Sequence, residues 1–224
     1  MTTSTRTTRL VGWLDERTGF LSVWNAIFER NIPKVNWWYT LGSASLFLAV
    51  MQAATGVFLS IYYIPTPEEA YSSIDYIMND VAFGWLVRGI HHWGATLMVV
   101  VVFIHMLRVY FYGAYKYPRE VTWITGVFLL LVTMGLGFTG YLLPWNQRSY
   151  WATAVGSSIL GTVPLVGDFL LRVVRGGDEL TILTLSRFYG VHIWFLPAAL
   201  FGLIGAHLYL VIRNGISYLP KRDE

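Results

Sequence analysis

The sequence predicts an all-α membrane protein built as a bundle of four spanning helices. Three observations lead there. Of the 224 residues, 55% are hydrophobic and only 13% charged, whereas a soluble domain carries about 25% charged residues. Four apolar runs, at about residues 37–64, 81–111, 121–145 and 184–212, are each long enough to cross a hydrocarbon core ~30 Å thick. All five histidines lie inside two of those runs, four of them as two widely spaced pairs, where ionisable groups are costly and mark function.

Residues 1–36 form an N-terminal segment without the continuous apolar stretch of a cleavable signal. Leu10, Trp13, Leu14, Leu21, Trp24, Ile27 and Phe28 recur there at helical spacing, with Asp15, Glu16, Arg17, Glu29 and Arg30 between them. The pattern predicts an amphipathic helix, lying in the membrane interface or against a partner subunit.

Residues 37–213 make up the membrane domain. Trp37, Trp38 and Tyr39 begin the first span and Tyr62 and Tyr63 end it, as aromatic belts do at a water interface. Pro65 and Pro67 close that span, Gly113 and Pro118 punctuate the connection after the second, and Pro144 ends the third. The long connection 146–183 is rich in Gly and Ser, and its apolar runs at 155–160 and 163–171 predict one or two short interfacial helices. Residues 214–224 are a polar tail. Eleven of the sixteen lysines and arginines fall in the N-terminal segment, the second connection (Arg108, Lys116, Arg119) and the C-terminal end (Arg213, Lys221, Arg222). The first connection instead holds Glu68, Glu69, Asp75 and Asp80. The positive-inside rule therefore puts both termini in the cytoplasm, or its stromal or matrix equivalent, with an energy-transducing membrane, foremost a bacterial inner membrane, as the expected location.

With no cysteine in the chain, disulfides, iron–sulfur clusters and thioether-attached haem are excluded. The basic residues form no stripe, so nucleic acid is not an expected partner; lipid is.

The histidines carry the chemistry. His91 and His105 are fourteen residues apart in the second span, which returns to within about 40° of the same helix face and separates them by roughly 21 Å. His192 and His207 are fifteen apart in the fourth, overshooting by about 60° but staying on one side. Spans two and four run in the same direction, so His91 pairs with His192 and His105 with His207. Two opposed imidazoles make a low-spin haem site suited to electron transfer, and two such clamps hold two haems stacked across a membrane. His92 points about 140° away from His105 and is expected to be a bystander.

Gly42 and Gly56, and Gly126 and Gly140, repeat the fourteen-residue interval in spans one and three. They would let a flat macrocycle approach the backbone at two depths, a role weighed against ordinary close helix packing. Arg88, Arg187 and Arg108 lie near the histidines in sequence. They are candidates for pairing with haem propionates, as against snorkelling to headgroups.

The segments R-G-I-H-H-W-G-A (88–95), H-M-L-R-V-Y (105–110), P-R-E-V-T-W (118–123), T-G-Y-L-L-P-W-N-Q (139–147), T-L-S-R-F-Y-G-V-H (184–192) and I-R-N-G-I-S (212–217) resemble the N-terminal, haem-bearing half of the cytochrome b/b6 family. The fifteen-residue interval and the four-span length resemble its split, b6-like branch. The resemblance implies the core redox subunit of a quinol–cytochrome c or quinol–plastocyanin reductase. Such a subunit binds two non-covalent b haems, that at His91 and His192 having the lower potential. Its quinol pocket would be formed in part by Gly140, Pro144, Trp145, Tyr150 and Trp151. The family's P-E-W-Y element is absent, so a separate three-helix subunit would supply it and the chain is not active alone. A Rieske iron–sulfur protein, a c-type cytochrome and a dimeric complex are implied as partners. Thr40 stands where the b6 branch has the cysteine that attaches an extra haem, so no covalent haem is expected through it. Two other readings of the buried histidines are a dihaem anchor for a peripheral dehydrogenase or hydrogenase and a small transporter. A bulky residue at Gly140 is expected to crowd the haem or turn, far more than one at Gly156 in the loop.

Overall fold

The computed structural model describes residues 11–13, 15–19, 21 and 37–217. The chain divides into two compact units, Met1–Tyr39 and Thr40–Glu224. In the first, residues 11–13 and 15–18 are helical. There the Arg17 guanidinium lies over the Trp13 ring, 4.4 Å from its centroid, and donates to the Trp13 carbonyl at 3.1 Å. Leu10, Leu14, Trp24, Ile27, Phe28, Glu29 and Arg30 of the expected amphipathic helix lie outside the described residues. So do Arg6, Arg9, Lys34, Lys221 and Arg222 of the charge count.

The second unit contains four helices long and apolar enough to cross a membrane: α1 (Leu41–Tyr62), α3 (Gly84–Phe111), α4 (Glu120–Leu142) and α7 (Ile182–Asn214). They coincide with the four expected runs. Lipid offers no hydrogen bonds, so backbone polar groups must be satisfied within the helix. The small hydroxyls follow suit: Ser45, Thr55, Thr133 and Thr139 each donate to the carbonyl four residues earlier on their own helix, at 2.8–2.9 Å. None of the four needs a neighbouring helix for its proton.

The spans associate as two close pairs, α1 with α3 and α4 with α7, joined through an α3–α4 contact. At mid-depth Leu48, Ala49, Met98 and Leu200 are buried, with Leu129, Val132 and Leu136 packed against them. All four spans contribute to this cluster. Close approach within the first pair requires Gly94, because a Cβ there would lie 2.6 Å from the Met51 methyl and overlap the Gln52 amide.

A short helix in the first connection, α2 (Ala70–Asn79), was not apparent from the sequence. Its inner face buries Ala70, Ser73 and Ile77, while Tyr71, Ser72, Asp75, Tyr76 and Asn79 are exposed, so its polar composition resembles a loop. With Tyr63 and Leu185 it forms a second buried cluster at that end of the bundle. The Tyr63 hydroxyl donates to the Leu143 carbonyl at 2.6 Å, tying the end of α1 to the end of α4. Gly84 opens α3 against α2, and any side chain there would overlap the Ile77 carbonyl.

The long connection folds into two helices, α5 (Gln147–Gly161) and α6 (Gly167–Arg175). Asn146 caps α5 by accepting from the Ser149 N–H at 3.0 Å, the usual remedy for the orphan donors at a helix start. Ser149, Thr153 and Ser157 are buried along one face of α5. Arg175 binds that region: it donates to Ser157 Oγ (2.8 Å), the Ala154 carbonyl (2.9 Å), Ser158 Oγ (2.8 Å) and the Asp178 carbonyl (3.3 Å). Its own carbonyl accepts from the Thr184 hydroxyl at 2.6 Å, which carries the clasp to α7. The ion pairs of Arg172 with Asp168 and Asp178 are solvent-exposed and add little.

Helix α7 has one irregular turn. Residues Val191–Phe195 are π-helical, and the Leu196 N–H bonds to the Val191 carbonyl. Pro197 follows directly; it has no N–H and its ring would clash with the carbonyl four residues earlier. A wider turn relieves both problems.

Arg175→Met should loosen α5 and α6 while leaving the spans intact. Removing a charged donor from several bonds costs about 1.5–3 kcal/mol, enough for protease cleavage within 146–183 to accelerate on the order of tenfold. Limited proteolysis of the detergent-solubilised protein measures it; an unchanged rate contradicts the clasp.

Candidate functional site

The two spans that carry histidines bring them together as the spacing requires. The His91 and His192 rings face each other with centroids 6.4 Å apart and planes at 76°, and His105 has His207 as its electrostatic neighbour. The fifteen-residue interval, which overshoots in a regular helix, contains the π-helical turn that begins at Val191. A π turn takes up one extra residue, so fifteen steps in α7 match fourteen in α3. His92 is exposed and packs edge-on against Trp93, away from both pairs.

Each of the four glycines faces one imidazole. A Cβ built on Gly56 would lie 3.3 Å from Cε1 of His91, on Gly42 3.5 Å from that of His105, on Gly126 3.4 Å from that of His207, and on Gly140 2.7 Å from that of His192. The glycines of α1 thus receive the rings of α3, and those of α4 the rings of α7. Their shared pitch reflects the pitch of the histidines themselves. Gly140 is the tightest of the four.

Three residues that sequence reasoning missed complete the arrangement. Thr55, Thr139 and Thr125 precede three of those glycines, and each hydroxyl oxygen lies 2.9 Å from an imidazole Nδ1: that of His91, His192 and His207 respectively. Each hydroxyl proton is already committed to a carbonyl of its own helix, of Met51, Gly135 or Thr122, at 2.8 Å. The oxygen can therefore only accept, so Nδ1 carries the proton. The carbonyls of Gln52, Leu136 and Thr122 face the same three rings, and a carbonyl too can only accept. Nε2 is left with its lone pair, the form that binds a metal. The sequence signal was a Thr-Gly dipeptide at 55–56, 125–126 and 139–140. At the fourth glycine, Gly42, the preceding residue is Leu41, which has no hydroxyl.

The arginines are placed less uniformly. Arg88 lies close enough to His91 to act on it electrostatically and donates toward the Met78 sulfur at 3.6 Å. Arg108 neighbours His105 and lies over the Tyr112 ring at 5.1 Å. Arg187 is exposed and donates to the Arg172 and Val173 carbonyls at the end of α6, so it closes that helix.

The turn at 139–151 brings Trp145, Tyr150 and Trp151 into an edge-on aromatic chain, with centroids 5.7 and 5.6 Å apart. Trp145 has φ 47°, a left-handed conformation that non-glycine residues rarely adopt; Pro144 before it and the capped start of α5 after it hold the turn. Trp151 and Tyr150 are exposed. Gly156 is not the tolerant position expected of a loop: any side chain there would overlap the Phe138 ring of α4.

Comparison with known proteins places this geometry. The family model for cytochrome b/b6/petB matches residues 28–215. The chain belongs to the cytochrome b/b6 family. It is 45% identical over 218 residues to the menaquinol:cytochrome c reductase cytochrome b subunit of Geobacillus thermodenitrificans, covering 93% of this chain and 97% of that one. It is likewise 45% identical over 210 residues to cytochrome b6 of Heliobacterium modesticaldum, covering 92% and 99%. Among solved structures a hyperthermophilic respiratory Complex III matches with a TM-score of 0.84 and 33% identity over 96% of this chain, which spans 58% of the chain it matches. Membership makes this an integral membrane protein of a family that binds haem b.

The residues present fit that group. An imidazole nitrogen bound to a metal lies ~2.0–2.1 Å from it, and with the ring centre about 1 Å further out, opposed imidazoles on one metal have centroids about 6 Å apart. The 6.4 Å between His91 and His192 meets that requirement.

Gly140→Ala should displace the His192 ring and lower the b-type absorbance per polypeptide at least severalfold. Gly137→Ala is the matched control, since a Cβ there meets nothing within 4 Å. Equal haem content in the two variants contradicts the role given to Gly140.

Proposed function

We propose that this chain is the cytochrome b subunit of a quinol–cytochrome c or quinol–plastocyanin reductase, carrying electrons across the membrane between two b haems. The observation that carries the reading is the pair of tiers, His91 with His192 and His105 with His207, each imidazole received by a glycine on the adjacent helix. The named relatives, one a menaquinol:cytochrome c reductase subunit and the other a cytochrome b6, support it. A dihaem anchor or a transporter has no need of the 139–151 turn.

When bound, haem supplies the one-electron chemistry. The protein's own residues orient and enclose it. His91, His192, His105 and His207 would hold the two irons through Nε2. Gly42, Gly56, Gly126 and Gly140 make room for the imidazoles, and Arg88 and Arg108 offer positive charge to propionates at the two tiers. Arg187, engaged at the end of α6, would have to leave those carbonyls to do the same. Gly140, Pro144, Trp145, Tyr150 and Trp151 form one wall of the quinol pocket. The rest would come from a separate three-helix subunit bearing P-E-W-Y, beside a Rieske protein and a c-type cytochrome in a dimeric complex. Both termini face the cytoplasm of a bacterial inner membrane.

Thr40 has a hydroxyl where attachment needs a thiol, and no cysteine exists elsewhere, so the haem is non-covalent. Acid–acetone should extract all haem from this polypeptide, at two per chain by the pyridine haemochrome assay. One haem per chain, or haem peroxidase staining that survives on denaturing gels at this mass, contradicts the proposal.

A further inference from the structure

The Thr-Gly dipeptides do more than admit the rings. The hydroxyls of Thr55 and Thr139 accept from the two imidazoles of one tier, His91 and His192, at 2.9 Å each. In the other tier only His207 has such a partner, Thr125, again at 2.9 Å. His105 has Leu41 at the equivalent position, and α1 begins at that residue. Among the described residues His105 has neither the backbone carbonyl that faces the other three rings nor a hydrogen bond to a hydroxyl.

A hydrogen bond accepted from Nδ1–H draws the proton away from the ring and makes Nε2 a stronger electron donor to a metal. A stronger axial donor stabilises the ferric state over the ferrous one, and such bonding is among the levers that set a haem's potential. The two tiers are unequal in this respect, two donors strengthened by a hydroxyl against one.

We propose that Thr55, Thr125 and Thr139 are positioning residues that set the donor strength of three haem-ligating imidazoles, each hydroxyl lowering the midpoint potential of the haem its histidine holds. The proposal rests on the dihaem reading above. The hydroxyls act on the equilibrium alone, since their own protons stay on helix carbonyls throughout.

The test is a redox titration of both b haems in the purified complex carrying valine, which keeps the shape and removes the hydroxyl, or serine, which restores it. Thr139→Val should raise the midpoint of the His91–His192 haem by a threefold change in the oxidised-to-reduced ratio, about 30 mV at 59 mV per decade for one electron. Thr125→Val should raise the other midpoint by a similar amount, and Thr139→Ser should return to the wild-type value. Thr55→Val tests the first tier independently of α4, so a Thr139→Val chain that fails to load haem leaves the question open to measurement. Unmoved midpoints in Thr55→Val and Thr125→Val at full haem content overturn the tuning while leaving the dihaem reading intact. A wild-type titration with a single b component overturns the dihaem reading instead.

Discussion

An imidazole placed between apolar helices needs a partner for each of its two nitrogens, and most of this bundle's geometry follows from meeting that need four times. Burying a polar group without its hydrogen bond is costly in any apolar medium, and lipid supplies no water to relieve it. Nδ1 is met from within the adjacent helix, by a threonine hydroxyl at 2.9 Å in three of the four cases. The residue after each threonine is glycine, and its missing side chain leaves the space the ring occupies. Nε2 is then left with its lone pair free for a metal. A single dipeptide thus supplies both the acceptor and the clearance.

The same constraint orders the rest of the fold. The rings come from α3 and α7 and are received by α1 and α4, so the two close helix pairs are the pairs that share an imidazole. Between the tiers the core is plain hydrocarbon, Leu48, Ala49, Met98 and Leu200, which spaces them without adding polar groups. At one end α2, Tyr63 and Leu185 seal the bundle, and the Arg175 clasp positions α5 beside the 139–151 turn. The π turn before Pro197 is the one irregularity in the spans, and it lies where the histidine interval is one residue too long.

Much of this was legible in the sequence. The four spans, the histidine pairing and the exclusion of His92 followed from hydropathy and helical periodicity, because those signals depend only on residues within one helix. What escaped depended on contacts between helices. The threonines were hidden because a hydroxyl in a span ordinarily bonds its own backbone, and only the neighbouring helix reveals a second use for the oxygen. The glycines were read as room for a macrocycle; their nearest neighbours are the imidazoles. Arg187 was placed by its distance from His192 along the chain, but the side chain closes α6. Gly156 was judged by its location in a connection, although that connection is helical and packs on Phe138. Helix α2 was missed because its burial is confined to a few small or apolar residues in an otherwise polar stretch.

The pairing across α3 and α7 is the claim on which the account stands. Low-temperature electron paramagnetic resonance of the oxidised, purified complex distinguishes two low-spin ferric haems by their separate signals. Replacing His91 or His192 with leucine should abolish one and the same signal, and replacing His105 or His207 should abolish the other. If His91→Leu and His105→Leu, changes on a single helix, removed the same signal, the two-tier arrangement would be wrong.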